Sequence, residues 1–134
     1  MGKIFGIKSD QVHDFILKEQ EKDPPKNQTK WKVKFLNVGQ SAKVSDMIYS
    51  ATGFGKKREE LLKAGTQSLM ILRLGLSGWE NFTYEDGKEV SWEPPTGNTN
   101  NWNTIMDRNL DKIPPEYRDE ISDHIRGGSS LDQD

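Results

Sequence analysis

A chain of 134 residues has the length of one domain and leaves little room for two. Nineteen Lys and Arg stand against 21 Asp and Glu, giving a net charge of −2, so the basic excess expected of a nucleic-acid or anionic-membrane binder is missing. With 32% hydrophobic residues, 30% charged residues and a mean hydropathy of −0.85, the chain predicts a small core.

The first segment, Lys3 to Glu19, admits two readings, because Val12, Phe15 and Ile16 fit helical spacing while Phe15 and Leu17 fit alternation. Gln20 to Thr29 holds Pro24 and Pro25 and predicts a loop. Lys30 to Phe35 alternates cation and apolar group for three periods, which predicts a strand turning Trp31, Val33 and Phe35 to a core and Lys30, Lys32 and Lys34 to water. Those lysines would also guard the strand against edge pairing if it lay at a sheet edge.

From Ser41 the period lengthens. Val44, Met47, Ile48 and Ala51 stand at i, i+3, i+4 and i+7, the stripe of a short helix ended by Gly53-Phe54-Gly55. Lys56 to Ala64 is charged and favours helix, and Ser68 to Leu76 is the most apolar window, expected as a central buried helix. Gly65 marks a kink or a boundary between the two. Gly78 to Tyr84 and Glu89 to Trp92 flank Glu85-Asp86-Gly87-Lys88, and Asp86-Gly87 predicts a hairpin with a type I′ turn. Glu93 to Asn103, with Pro94, Pro95, Gly97 and four Asn, reads as a loop without helix, followed by a short helix from Asn103 to Leu110. Pro115 suits a first helical position, and Tyr117, Ile121, His124 and Ile125 recur at helical spacing before Gly127-Gly128. Together these elements predict an α+β fold, a small single domain over residues 1–128 in which a short antiparallel sheet or hairpin packs on three to four helices. Residues 129–134 are expected as a flexible C-terminal tail.

Catalytic and metal chemistry leaves little trace in the residue pattern. Without cysteine there are no disulfides, thiolate metal sites or cysteine nucleophiles, in keeping with a reducing compartment. No apolar run approaches the roughly 18 residues of a membrane helix, and no secretory signal is visible. His13 and His124 are the only histidines; their spacing does not make a helical ligand pair, and each is expected as a surface or helix-face residue. No Gly-x-Ser-x-Gly elbow presents a serine nucleophile. Gly53-Phe54-Gly55-Lys56-Lys57 falls short of a phosphate loop in both glycine spacing and the missing Ser or Thr. The Lys56-Lys57-Arg58 cluster and the Lys30, Lys32 and Lys34 stripe are balanced by nearby acids, as on a solvated face. We therefore expect no enzyme activity, no cofactor, no metal, and neither nucleic acid nor membrane as partner.

The distinctive feature is aromatic. Trp79, Phe82, Tyr84, Trp92 and Trp102 fall within 24 positions of a chain that is 9% aromatic. Such rings either enlarge an undersized core or form a protein-interaction surface, and both readings stay open. The run Leu72-Arg73-Leu74-Gly75-Leu76-Ser77-Gly78-Trp79-Glu80-Asn81-Phe82, followed by Asp86-Gly87, resembles small morphogenesis proteins of tailed bacteriophages, in particular tail assembly chaperones. The similarity extends through Asn109 to Pro114, the Glu116 to Ile125 helix and Ser129-Ser130-Leu131, covering mainly residues 69–131, with a fainter echo at Thr29 to Leu36. This resemblance implies a non-enzymatic protein of the host bacterial cytoplasm that binds tape-measure or tail-tube subunits during tail morphogenesis. The alternative it implies is a structural virion protein: a head decoration, neck, tail or baseplate subunit contacting neighbouring virion subunits. Self-association into a homo-oligomer is left open.

Overall fold

The alternation of lysine with Trp31 and Val33 produces the middle strand of the sheet. In the computed structural model, which describes residues 2–5, 11–51, 67–95 and 99–129, the strands β1 (His13–Phe15), β2 (Lys30–Val33) and β3 (Leu76–Glu80) pair antiparallel in the order β1-β2-β3. The ambiguous N-terminal segment thus resolves partly as strand, with a 3-10 turn at Lys18–Gln20 after it. Registers Phe15↔Trp31 and Trp31↔Trp79 set three aromatic side chains in a row across one face. Trp31 and Val33 are buried, whereas Phe35 lies beyond the strand and is half-buried.

β2 lies in the centre of the sheet, so its lysines do not guard an edge. Instead Lys32, on the face opposite Trp31, forms ion pairs with Asp14 of β1 and Glu80 of β3. A central cation between acids on both neighbours favours this strand order through cross-strand pairing. The Gln20 to Thr29 loop is stitched by the Gln28 side chain, whose amide donates to the Gln20 carbonyl at 2.9 Å, and by Gln20 Oε1, which accepts from the Thr29 amide at 3.0 Å. Within it Pro25 opens a 3-10 turn, Pro25–Asn27.

Four helices complete the architecture among the described residues: α1 (Val38–Ala51), α2 (Ser68–Gly75), α3 (Thr99–Leu110) and α4 (Pro115–Gly128). The chain is a small α+β fold. α1 starts at Val38, three residues before the expected Ser41, because Asn37 and Gln40 cap it reciprocally. Asn37 Oδ1 accepts from the Gln40 amide at 2.9 Å, and Gln40 Oε1 accepts from the Asn37 amide at 3.1 Å. Val44 from that stripe is buried; the side chains of Met47, Ile48 and Ala51, the Gly53-Phe54-Gly55 stop, the Lys56 to Ala64 helix and Gly65 lie outside the described residues.

α2 is the expected buried helix but ends at Gly75, one residue short. Leu76 is already extended, at φ −90° and ψ 124°, and pairs with Val33 as the first residue of β3. Helix therefore passes into strand without a loop, and the close packing there needs Gly75. A Cβ on it would lie 2.8 Å from Ile125 Cδ1 and 3.0 Å from the Lys34 carbonyl oxygen. Ile71 and Leu72 of α2 meet Ile121 and Ile125 of α4 in one core with Trp31, Val33, Met106 and Leu110. Arg73 fastens α2 to α3 by a bidentate pair with Asp107, both contacts 2.8 Å.

Three further expectations are corrected. The Gly78 to Tyr84 run is not one hairpin arm: its first half pairs with β2, and Asn81, at φ 59°, then turns the chain away. The remaining arms form a short ladder around the Thr83↔Glu89 bridge, where the Phe82 carbonyl accepts from the Val90 amide at 2.9 Å. Their turn is not type I′, which needs positive φ at both central residues, since Gly87 has φ 85° while Asp86 does not. The Tyr84 carbonyl accepts from Gly87, and the Tyr84 amide donates to Lys88, as in a type I turn followed by a left-handed glycine. Next, the Glu93 to Asn103 segment is not free of helix, because α3 begins at Thr99. Buried Asn109 holds the segment's start from both sides, its Oδ1 accepting from the Glu93 amide at 2.9 Å and its Nδ2 donating to the Glu93 carbonyl at 2.8 Å. Finally, Ser129, assigned to the tail, is buried. Its hydroxyl accepts from the Leu36 amide at 2.8 Å and donates to the Ile125 carbonyl, and its own carbonyl accepts from Ser41 Oγ at 3.0 Å. The rest of the tail, 130–134, lies outside the described residues.

Candidate functional site

The structure brings three of the five aromatic candidates, Trp79, Phe82 and Trp92, into one array and leaves Tyr84 and Trp102 outside its ring contacts. Trp79 is at its centre, on β3. Its ring contacts Trp92 at 4.9 Å between centroids and Phe82 at 5.2 Å, both edge-on, and Trp31 at 5.9 Å. Phe82 closes back onto Trp31 at 4.9 Å. These are the edge-to-face separations at which ring quadrupoles attract. Trp79 also donates its indole N–H to the Val90 carbonyl at 2.8 Å, tying the hairpin arm to the sheet.

Trp79, Phe82 and Trp92 are thus partly buried against the core, and Trp31, which the residue pattern assigned only to the core, is the ring on which the array rests. Trp102 projects from the second turn of α3 and is 39% exposed. Together with Trp92, Pro95 and Met106 it lines a hollow of about 150 Å³, with Lys34 and Arg73 also on the wall. Tyr84 is half exposed and, among the described residues, makes no ring contact. A groove of about 420 Å³ runs between β3 and the Glu89 to Trp92 arm, lined by Trp79, Phe82 and Trp92.

A second concavity of about 380 Å³ opens between the Gln20 to Thr29 loop and Asn81 to Thr83, with Trp31 and Tyr117 among its walls. Asn81 binds the two sides together: its Nδ2 donates to the Lys26 carbonyl at 2.9 Å and to the Gln28 carbonyl at 3.1 Å, while its carbonyl accepts from Thr29 Oγ1 at 2.9 Å. A hydrogen bond to Glu19, reinforced by burial, holds the Tyr117 phenol above its ordinary pKa.

The residue pattern treated His13 and His124 as unrelated surface groups, and this is corrected. His13 of β1 and His124 of α4 meet with their Nε2 atoms 2.8 Å apart. Nothing in their spacing signals it, since 111 residues separate them. The separation is that of a hydrogen bond and is shorter than the roughly 3.3 Å between two ligands each about 2.0 Å from a tetrahedral ion. Among the described residues no three His, Asp or Glu side chains gather to hold a metal, and no helix is long and apolar enough to cross a membrane. Lys56, Lys57 and Arg58 lie outside the described residues, whereas Lys32 of the second basic stripe is engaged by acids. No protein-family model matches the chain, and no curated protein or solved structure shows significant similarity to it.

Proposed function

We propose that this chain is a non-enzymatic protein-binding factor, acting in the manner of a tail assembly chaperone during bacteriophage tail morphogenesis. One observation supports it above others: the aromatic array is anchored in the core through Trp31 and Trp79, and reaches the surface where the half-exposed Trp102 and Trp92 line a hollow the size of one large apolar side chain. Rigid aromatic rings around a small socket are the usual anchors of a protein interface, because they bury much area while losing little conformational entropy. The partner expected from the resemblance is a tape-measure or tail-tube subunit, whose apolar helical stripe needs cover before polymerisation.

Quantitative mass spectrometry tests the assignment on infected cells and on mature particles. The chain is expected in the lysate bound to the tape-measure protein and missing from the particle. Many copies per particle would make it a structural virion subunit instead. Trp102→Ala is expected to weaken capture of the tape-measure protein at least tenfold without unfolding the chain. Unchanged capture by a folded Trp102→Ala protein would remove that ring from the interface.

A further inference from the structure

We infer that His13 and His124 form an acid-released clasp, which holds β1 against α4 while no more than one of the two imidazoles carries an added proton and releases it when both do. A neutral imidazole has one N–H donor and one bare nitrogen. With the two Nε2 atoms at 2.8 Å, a single hydrogen lies between them, so one ring donates through Nε2 and the other accepts there. A first added proton can settle on Nδ1 of the donor ring and leave the bond intact. A second must occupy the accepting Nε2, which sets two N–H groups and two positive charges against each other. The hydrogen bond therefore survives one added proton and is lost to the second.

The surroundings sharpen the second step. Phe15 stacks on His124 at 4.3 Å and 15°, and Phe35 stands 4.7 Å from His13 and 5.5 Å from His124, so carbon walls cover part of both half-buried rings. Among the described residues, the charged groups on the neighbouring elements are engaged elsewhere, on the opposite face or exposed. On β1, Asp14 points to the opposite face and pairs with Lys32 of β2; Lys30 alternates onto that same far side, and Lys34, beyond the strand, lies on the wall of the Trp102 hollow. On α4, Glu120 accepts the Lys18 backbone N–H at 2.7 Å, Asp123 is exposed, and Arg126 is already engaged. On the 3-10 turn after β1, Glu19 is bound to Tyr117. Among the described residues neither imidazole is hydrogen-bonded or ion-paired to a carboxylate, and Asp14, the one carboxylate that feels the charge of His13, does so least of its interactions and is committed to Lys32. In keeping with this, burial first and His13 second hold His124 below the ordinary imidazole pKa.

The sign follows from proton counts. Well below the ordinary imidazole value of about 6.5 the released rings bind two protons and the clasped pair at most one, so clasping is fully favoured above that pH and weakens as pH falls, by about tenfold per unit while the clasped pair holds one proton. β1 is an edge strand of three residues, so its release bares the backbone edge of β2. This device does not depend on the protein-binding role proposed above.

Amide hydrogen exchange on the full chain tests it, at pH 7.5, 6.5, 5.5 and 5.0 and corrected for intrinsic exchange. Protection at His13–Phe15 is expected to fall several-fold more than at Ile71 and Leu72 between pH 6.5 and 5.0, and His13→Gln to abolish that excess loss. Equal protection across the series, or the same pH dependence in a folded His13→Gln chain, would overturn the clasp. Should the variant fail to fold, the imidazole titration of the unaltered chain by NMR decides. Two coupled steps with the second well below pH 6.5 support the clasp, and two independent steps near 6.5 overturn it.

Discussion

Trp79 and Trp102 look alike in the residue pattern but do opposite work in the fold. Trp79 meets three rings and donates to the Val90 carbonyl, so Trp79→Ala removes a large buried volume and orphans that carbonyl. We expect it to destabilise the chain by about 3–5 kcal/mol, read by chemical denaturation. Trp102 is 39% exposed, and Trp102→Ala is expected to change stability by less than about 1 kcal/mol in the same measurement. The pair of experiments separates the core part of the aromatic concentration from its interaction part. Ser129 gives a third test at this scale. Its hydroxyl is the partner of the buried Leu36 amide, so Ser129→Ala is expected to cost about 1–3 kcal/mol, far more than a residue in a loose tail would. Composition placed Ser129 in the tail because a polar residue after two glycines resembles a frayed end. Its burial depends on Leu36 and Ser41, about 90 positions away, which no local signal encodes.

Among the elements, those with a strong period were the legible ones. β2 follows from three lysine-apolar alternations, α2 from its run of Leu, Ile and Met, and α4 from Pro115 and the Tyr117, Ile121 and Ile125 spacing. Boundaries failed where a non-local partner overrode local preference. Leu76 is helix-favouring yet joins β3 because Val33 offers it a strand partner, and Gly75 allows the close approach of Ile125 that the corner requires. The start of α1 was missed for a different reason: Asn37 and Gln40 carry a capping signature in plain sequence, but it precedes the apolar stripe by a turn. Asn37→Ala is expected to destabilise the chain by about 1 kcal/mol in thermal or chemical denaturation, with helical signal lost first at Val38 to Ser41.

Over the whole molecule, the sheet and helices form a scaffold whose two long-range couplings were invisible in the chain. One runs from Trp31 through Trp79 to Trp92 and the Trp102 hollow, and the other joins His13 to His124. Legible in the chain alone were the α+β class, a strand beginning at Lys30, the buried α2 helix, the α4 helix and the aromatic concentration, since each rests on a period or composition confined to one segment. Only the tertiary structure decided the place of β2 between two acidic neighbours, the division of the five aromatics into packed and outward rings, the burial of Ser129 and the meeting of the two histidines. Side-chain periodicity reports which face of an element is apolar, but the partner that covers that face is chosen by the packing of residues far apart in the chain.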